Sequence, residues 1–375
     1  MIRVEIVKPT PQLIQPFIRL ADDIYKDDPN WVAPSRREMT RLLTGKDNEL
    51  FQQGIQRFFL AYDDDKPVAR VLVGVDVHRN AQTGRHEGYF SLFESYDNMD
   101  YARAVLDAAK AFLKENGVTR LLGPQAPEYT LLTRGLLVEG FDGPPVLFNP
   151  YNPPYYEQML TAYGFRKERD YLAYLMRLED VDMERFAPLN ERVQQRFGFK
   201  ARNIDLNKEA IARVAQDMAM VIAEATPDEP GIYLPTTEDL VRLLRKVRPF
   251  YRKNLAVIAY AGARPVGVLL GVLDINRMFA RRQGRSDPFH RALGLLAVPR
   301  IDTARCPMMY VVPEYQNKAV NAVLFYRALD GARKLGIKYI EGSTMDENNL
   351  ASINSTMLAG GEQYRTYRNF QLDLG

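Results

Sequence analysis

Cysteine and histidine are scarce in this chain of 375 residues, and their scarcity excludes several kinds of chemistry. Cys306 is the single cysteine, so an internal disulfide is excluded and a reducing, cytoplasmic location is expected. The three histidines, His78, His86 and His290, do not share the spacing of metal ligands. We therefore expect no bound metal, and in particular no zinc site built from histidine and cysteine.

Long apolar runs and a strong net charge are missing as well. The longest apolar run lies near Val266–Leu273, far short of the roughly 20 residues that a membrane-spanning helix requires. The opening MIRVEIVKPT alternates as a strand does and lacks the apolar core of a signal peptide. A net charge of +3 does not favour a nucleic acid partner. We therefore expect neither a membrane nor a nucleic acid as partner, and the oligomeric state stays open.

One hairpin pattern occurs twice in the sequence. Residues 58–76 read FFLAYDDDKPVARVLVGVD, and residues 256–274 read AVIAYAGARPVGVLLGVLD. Each has an apolar strand ending in Ala-Tyr, three further residues, a basic residue before Pro-Val, and a second apolar strand ending in Asp. Two such strands joined by a short turn predict a β-hairpin in each half of the chain.

Further elements repeat in the same order around each hairpin. The pattern predicts β-α-(α)-β-β-β-α-β-α-β twice, which is a mixed α/β fold of two tandem domains with helices flanking each central sheet. The domains are 1–180 and 197–375, and the polar stretch 181–196 is a linker. Asn152 before Pro153 predicts a helix start. Four glycines are expected to end helices in the left-handed conformation: Gly117, Gly164, Gly336 and Gly360.

Two stretches of the second half carry a family resemblance. VVPEYQNKAVNAVLFYRAL (311–329) and IEGSTMDENNLASINSTMLAGG (340–361) resemble the acyl-CoA loop and helix, and the strand and helix after them, of the GNAT acyltransferase superfamily. The Pro-rich segment 141–165 resembles a duplicated, double-domain branch of that superfamily. The resemblance implies two tandem GNAT-like domains, each with a mixed sheet that is splayed between its fourth and fifth strands.

The resemblance also implies where an acyl-CoA would bind. In the family, backbone groups of the splayed strand hold the pantetheine arm, and N–H groups at the next helix start hold the pyrophosphate. Carried over, the splayed strand is Met309, Tyr310, Val311 and Val312. The pyrophosphate loop is Gln316, Asn317, Lys318, Ala319, Val320, Asn321 and Ala322. Asn348 or Asn349 matches the asparagine that starts the following helix, first as a cap and second as a cofactor contact.

The sequence departs from the family pattern at three positions. Ala319 and Asn321 replace two loop glycines. We expect helical φ/ψ at Ala319, which leaves the backbone path intact, while Asn321 either donates to phosphate or blocks its approach. Thr356 lies where the family usually places a tyrosine that protonates the leaving thiolate. Threonine is a poor general acid, so a water or the solvent would have to replace it.

Two charged residues near the loop each have two interpretations. Glu341 is either the base that removes the amine proton, as an acidic residue near this place often does in the family, or an exposed charge at a strand end. Lys318 either pairs with phosphate or is simply solvated. The arginine-rich insertion 275–294 likewise either presents cations to an acidic group or is a solvated surface.

The corresponding turn of the first half is acidic. FESYDNMDYARAVLDAA (93–109) places Asp97 and Asp100 at the helix start. Acidic side chains there stabilise a helix but repel a pyrophosphate. We therefore expect the first half to have lost cofactor binding and to form one wall of an acceptor cleft.

These features predict an acyl-CoA-dependent N-acyltransferase, most simply with acetyl-CoA as co-substrate. The acceptor would be a small-molecule or peptide amine in a cleft between the halves. Two alternatives remain open. One is an inactive GNAT-fold protein that binds a ligand or a partner, and the other is an acyltransferase whose donor is acyl carrier protein or aminoacyl-tRNA.

Overall fold

The computed structural model describes most of the chain, in these ranges: 1–45, 48–128, 133–228, 232–276 and 301–375. The described residues form two compact units. The first comprises Met1–Tyr171, Asn276 and Arg365–Gly375, and the second comprises Leu172–Ile275 and the described part of Leu295–Tyr364. All but the first two residues of the insertion 275–294 lie outside the described ranges.

The first unit is a mixed sheet between helices. Its strands are β1 (Ile2–Ile6), β2 (Ile55–Asp63), β3 (Lys66–Val75), β4 (Glu87–Ser95), β5 (Arg120–Gly123), β6 (Leu136–Glu139) and the first part of β7 (Arg166–Arg177). Its helices are α1 (Gln15–Ile24), α2 (Arg36–Leu43), α3 (Glu49–Gln53), α4 (Val77–Thr83), α5 (Met99–Glu115) and α6 (Tyr155–Tyr163). Strands β1 to β4 pair antiparallel in order, and β4 pairs parallel with β5.

The alternation of side chains along β3 divides the core of this unit between two faces. Val71 and Val73 belong to a buried cluster that includes residues of α5 and α6. Leu72, between them, belongs to a second cluster with Phe17 and Leu20 of α1. Helices therefore cover both faces of the sheet.

The second unit has the same kind of architecture. Its strands are β8 (Lys200–Asn203), β9 (Val257–Ala261), β10 (Arg264–Leu273), β11 (Thr303–Val311), β12 (Tyr339–Asp346) and the start of β13 (Gly361–Asp373). Its helices are α7 (Met183–Phe197), α8 (Ala210–Ala225), α9 (Thr237–Val247), α10 (Pro313–Gln316), α11 (Val320–Lys334) and α12 (Leu350–Leu358). Short 3-10 turns lie at Leu178–Asp180, Arg248–Phe250 and Lys253–Leu255. Strands β8 to β11 pair antiparallel in order, and β11 pairs parallel with β12.

The predicted repeat is confirmed in its local elements. Both hairpins form, β2 with β3 and β9 with β10. The four glycines predicted to end helices all have positive φ: Gly117 at 74°, Gly164 at 117°, Gly336 at 72° and Gly360 at 89°. None of the helices within the described ranges combines the length and the hydropathy that crossing a bilayer requires.

The closing strands depart from the predicted boundaries. Residues 365–373 of β13 belong to the first unit, where β13 pairs antiparallel with β5 and β6. Phe370 and Leu372 are buried in that unit's core. The end of β7 belongs to the second unit. The stretch 181–196, predicted as a linker, lies mostly within α7.

The start of α6 also differs from the prediction. The helix begins at Tyr155, and its N-cap is Pro154, without a side-chain cap. The side chain of Asn152 pairs with the backbone of Leu137 instead, accepting from its N–H at 2.7 Å and donating to its carbonyl at 3.0 Å. Asn152 thus acts as a strand partner for β6 and not as a helix cap.

A glycine allows α11 to lie close against β10. A Cβ at Gly267 would lie 2.8 Å from Cγ1 of Val320, the first residue of α11. Only glycine permits that approach, because real Cβ atoms do not come so near another carbon. The contact fixes the helix start beside the end of β11.

Candidate functional site

Strand β11 separates from β12 partway along its length. The parallel pairing runs from Thr303 opposite Tyr339 to Cys306 opposite Gly342. Strand β11 then continues to Val311, still paired with β10. The register with β10 shifts opposite Gly271, which marks a β-bulge. The predicted splay between these strands is therefore present in the second unit.

The register tells which backbone groups face the splay. The N–H of Val312 bonds to Val266 of β10. Antiparallel residues alternate in the direction of their backbone groups, so those of Met309 and Val311 point away from β10, toward the side where β12 has separated. Residues 306–310 are partly exposed, whereas 303–305 are buried. A ligand can therefore reach the backbone groups of Met309, whereas Val311 is buried.

The turn after β11 leads into a helix start without a side-chain cap. Ala319 is the N-cap residue of α11, and no acidic side chain lies in the first turn. Helix N-termini of this kind carry N–H groups and a partial positive charge that suit an anion. The expectation of right-handed helical φ/ψ at Ala319 is wrong, because φ is 55° and ψ is 24°. Ala319 therefore holds the left-handed conformation for which glycine is usually required.

The charged side chains of the loop are already engaged with one another. The Lys318 ammonium lies 3.6 Å from a carboxylate oxygen of Glu314 and 4.2 Å from the ring centroid of Tyr315. Arg264 of β10 donates to the other Glu314 oxygen at 3.0 Å. The Arg264 hydrogen bond is the main reason why the pKa of Glu314 is lowered. The Gln316 amide donates to the Val311 carbonyl at 3.2 Å, so it supports the strand end.

Glu341 is fully buried, and its interpretation as an exposed strand-end charge is wrong. It pairs with Arg305 across β11 and β12, with 3.4 Å between Arg305 Nε and Glu341 Oε2. The Tyr364 hydroxyl donates to Glu341 Oε1 at 3.2 Å. The pair lies one residue before Gly342, the last residue of β12 that pairs with β11. A carboxylate bridged to arginine and tyrosine therefore stands where the splay begins.

Thr356 and Asn349 hold structural positions on α12. Asn349 is the N-cap and accepts a hydrogen bond from the N–H of Ser352 at 3.1 Å. The Thr356 hydroxyl lies 3.7 Å from the Met345 sulfur. A Cβ at Gly361 would lie 2.7 Å from the Thr356 methyl carbon, so this threonine is packed against the helix end. The structure brings the predicted residues from Met309 to Ala322 together in one strand and turn, and places these two on a separate helix.

Cys306 is the last residue of β11 paired with β12, but it is not suited to act as a nucleophile. Although Cys306 is partly exposed as a residue, the surrounding protein desolvates its thiol and raises the pKa to about 12. The reactive form of cysteine is the thiolate, which this environment disfavours.

The first unit contains the same splay with different contents. Strand β4 pairs with β5 only from Glu87 to Tyr89 and then continues to Ser95. The Ser95 N–H donates to the Tyr156 hydroxyl at 2.9 Å, and the Tyr155 hydroxyl donates to the Ser95 carbonyl at 2.9 Å. Two tyrosines of α6 therefore occupy the N–H and carbonyl of Ser95, the equivalent of Val311, whose carbonyl in the second unit accepts from Gln316 instead.

A buried carboxylate lies beside those tyrosines. Oε2 of Glu94 accepts from the Tyr156 hydroxyl at 2.7 Å and from the Tyr25 hydroxyl at 2.9 Å. Oε1 lies 3.4 Å from the buried guanidinium of Arg70. Burial raises the pKa of Glu94, although Arg70 and the hydroxyls oppose that effect. This network closes the splay of the first unit from within.

The helix start of the first unit is capped. The Asn98 side chain accepts from the N–H of Asp100 at 2.9 Å, and Asp100 lies in the first turn of α5. The contrast expected from the two turn sequences is therefore present: α5 has a polar cap and an acidic first turn, and α11 has neither.

Sequence reasoning did not single out Arg305, Tyr364 or Glu94. Arg305 carried a signal, because it is a lone charge in the otherwise uncharged stretch Ala304–Val311. Its burial required a buried acidic partner. Tyr364 is one of 21 tyrosines and lies in a polar stretch, so its sequence context held no comparable signal.

Known proteins resemble the chain over its full length. No family model matches it. The chain is 28% identical over 373 residues to the bacterial ceramide synthase of Caulobacter vibrioides (strain NA1000 / CB15N), with 96% of this chain and 95% of that protein covered. It is 26% identical over 364 residues to Protein YghO of Escherichia coli (strain K12), with 96% of this chain and 92% of that protein covered. Among solved structures, a tandem GNAT protein from the clavulanic acid biosynthesis pathway matches with a TM-score of 0.57 and 11% identity, covering 100% of this chain and 99% of that one.

Proposed function

Because the chain has the tandem GNAT fold, as its sequence predicted, we propose that it is an acyl-CoA-dependent N-acyltransferase. The second unit binds the acyl-CoA, and the acyl group passes directly to an amine. The observation that supports this most strongly is the order of features after Cys306: a splayed strand, a turn, and a helix start with no cap and no acid.

The pyrophosphate is held at the start of α11. Backbone N–H groups of Val320, Asn321 and Ala322 point toward the helix N-terminus, where the partial positive charge of the helix favours an anion. Lys318 adds a cation once it leaves Glu314. The pantetheine arm then lies along the splayed segment, with the backbone of Met309 and the N–H of Val311 as partners, since the Val311 carbonyl accepts from Gln316.

The reaction needs no covalent enzyme intermediate. The neutral amine attacks the thioester carbonyl, and backbone N–H groups of the splayed strand stabilise the oxyanion. A base removes the proton that the amine loses. The first unit takes no acyl-CoA, because Tyr155 and Tyr156 occupy Ser95 and because the start of α5 is capped and acidic.

Two donor and acceptor pairs are candidates: acetyl-CoA with a short amine, and a fatty acyl-CoA with a long-chain amine. A ceramide is the amide of a fatty acid with a long-chain amino alcohol. The relative named a ceramide synthase is 28% identical to this chain in an alignment that covers 96% of it. A fatty acyl-CoA and a long-chain amino alcohol are therefore the first pair to test beside acetyl-CoA and a short amine. Two alternatives remain to be separated. Acyl-CoA binding separates the carrier-protein donor, and turnover of these substrate pairs in a thiol-release assay separates the inactive ligand-binding protein.

The test measures acyl-CoA binding to the full chain by calorimetry, with acetyl-CoA and palmitoyl-CoA as probes. We expect Asn321→Glu to weaken binding at least about tenfold, since a carboxylate near 5 Å from phosphate is repelled by about 3 kcal/mol at an effective dielectric of 20. Gln316→Ala should weaken it less, because this side chain supports the strand end.

The matched control is Asp100→Asn at the equivalent helix start of the first unit, which should leave the affinity unchanged. Absence of binding to the parent protein would reject the acyl-CoA proposal. Binding that Asn321→Glu does not alter would move the site away from α11.

A further inference from the structure

The proposed reaction needs a residue that carries protons to and from the substrates. Thr356, at the usual place of the acid, does not supply it, since its side chain is packed against Met345. Building on the proposed function, we infer that Tyr364 is this residue and that buried Glu341 is its proton store. Tyr364 takes the place of the tyrosine that the resemblance leads one to expect at Thr356, and it approaches from β13 instead of α12.

Burial decides which of the two residues meets a substrate. The exposed fraction of Glu341 is 0%, so its carboxylate does not touch an amine directly. Tyr364 is partly exposed, and its hydroxyl lies 3.2 Å from Glu341 Oε1. A proton can therefore pass between a bound substrate and Glu341 through the Tyr364 hydroxyl.

Arg305 is a positioning residue in this arrangement. Its Nε lies 3.4 Å from Glu341 Oε2, on the side of the carboxylate away from the oxygen that meets Tyr364. Both members of the pair are buried, and burying an ion pair rarely adds stability over apolar packing. The pair lies beside the splay, one residue before Gly342. We therefore explain the buried ion pair by a role in the reaction and not by stability.

Arg305 and Glu341 lie on the sheet face opposite α11. A Cβ at Gly267 would meet Val320 of α11, so Gly267 faces that helix. Val272 of β10 has the opposite parity and is paired with Arg305, which places Arg305 and its neighbour Glu341 on the other face. An amine would thus be deprotonated from the face that does not carry the pyrophosphate helix.

The proton balance closes without a further reactant. The amine nitrogen forms a bond to the thioester carbon while its extra proton moves to the Tyr364 oxygen and the Tyr364 proton moves to Glu341. As the carbon–sulfur bond breaks, the sulfur takes a proton from Tyr364, and Glu341 returns the stored proton to Tyr364. The products are an amide and a thiol, and both side chains regain their initial states.

The test compares Tyr364→Phe and Glu341→Gln with the parent in a thiol-release assay, using the acyl-CoA and amine pair that the parent turns over. We expect kcat to fall about 100-fold or more for each, since a positioned acid–base group typically contributes 10²–10⁴ in rate. The acyl-CoA dissociation constant, measured by calorimetry, should not change. The control is Tyr260→Phe, a tyrosine that donates to Asp217 at 2.6 Å elsewhere in the unit and should turn over normally.

A variant with 3-fluorotyrosine at 364 separates a chemical role from a structural one. Its more acidic hydroxyl should move the alkaline limb of the pH–kcat profile to lower pH, which a packing role would not do. Normal kcat in Tyr364→Phe, or an unmoved pH profile, would overturn the relay while leaving the acyltransferase proposal intact. A parent protein that binds no acyl-CoA would overturn both.

Discussion

Ala319 holds a left-handed conformation at the N-cap of α11, where its Cβ is unfavourable. Glycine adopts the same φ without that penalty. We expect Ala319→Gly to raise the free energy of unfolding of the second unit by about 1 kcal/mol, measured by urea denaturation. Ala322→Gly, in the right-handed first turn of the same helix, is the control and should lower it by about 0.5–1 kcal/mol. Destabilisation by Ala319→Gly would contradict the strained geometry.

Glu314 competes with a pyrophosphate for Lys318. Its carboxylate lies 3.6 Å from the Lys318 ammonium, and a negative charge beside the loop also repels phosphate directly. We expect Glu314→Gln to tighten acyl-CoA binding about threefold at low salt and less at high salt, because exposed charges are screened. Glu224→Gln, which removes a different partner of Arg264, is the control and should leave the affinity unchanged. Weaker binding in Glu314→Gln would assign Glu314 a supporting role.

At the residue scale, the sequence predicted which residues form the loop better than it predicted their backbone conformation and burial. The resemblance to the GNAT pyrophosphate loop implied Gln316 to Ala322, and these residues do lie together at a helix start. The left-handed φ of Ala319 was not predicted, since alanine prefers the right-handed region. The burial of Glu341 was missed because its partner Arg305 lies on another strand.

At the scale of elements, Tyr155 and Tyr156 of α6 fill the splay of the first unit by hydrogen bonding to β4. The Tyr156 hydroxyl donates to Glu94 in a partly buried bond and accepts from the Ser95 N–H in a buried one. We expect Tyr156→Phe to lower the free energy of unfolding by about 2–3 kcal/mol, because a buried carboxylate and an N–H each lose a partner. Tyr163→Phe on the same helix breaks an exposed bond to Asp107 and should cost about 0.5 kcal/mol. Equal effects of the two changes would argue against the network.

A bidentate ion pair ties β13 to the start of β7 within the first unit. Arg368 donates to the two Asp170 oxygens at 2.8 and 3.0 Å. Burial alone would raise the pKa of Asp170, but hydrogen bonds from Arg368 and Lys167 outweigh it and lower the pKa. The ionised form is thus favoured in the folded state, and its contribution to stability is present above the unfolded pKa and lost as pH falls through the folded one.

Asp170→Asn should therefore lower the free energy of unfolding by about 2 kcal/mol near neutral pH. The difference from the parent should begin to shrink below about pH 4, where an unfolded aspartate takes up a proton, and should be lost once the pH falls through the lowered pKa of folded Asp170. Asp373→Asn is the control, because its pair with Arg166 is solvent-exposed and contributes little. A pH-independent loss in Asp170→Asn would point to packing in place of charge.

Elements with a local cause were predictable, and elements that depend on a distant partner were not. Gly164 and Gly360 end their helices because a left-handed residue closes a helix locally. Asn152 was expected to cap α6 for the same kind of local reason, but the backbone of Leu137 uses both ends of its amide. Two hydrogen bonds to the backbone of β6 are favoured over the single bond of a helix cap. The sequence around Asn152 does not show that β6 lies beside it.

The whole molecule departs from a simple tandem of two domains in its closing strands. The sequence shows two equivalent closing strands, and nothing in their period-2 pattern states which sheet each one joins. The structure assigns Arg365–Gly375 to the first unit and Leu172–Arg177 to the second. The domain boundary predicted from the repeat thus reflects the order of the elements along the chain, whereas the two units of the structure reflect which strands pair with each other.

Dividing the chain at the repeat boundary should consequently fail. Residues 1–180 lack the C-terminal segment whose Phe370, Leu372 and Leu374 lie in the first unit's core, and they leave an edge of β5 unpaired. We expect this fragment to aggregate, since each buried side chain removed costs about 1.5–3 kcal/mol. Joining residues 365–375 to it through a flexible linker should restore a soluble, cooperatively unfolding unit, measured by gel filtration and urea denaturation. The control carries the same linker with Phe370 and Leu372 changed to Ser. If the unextended fragment folds as well as the joined one, the C-terminal strand is not what completes the first unit.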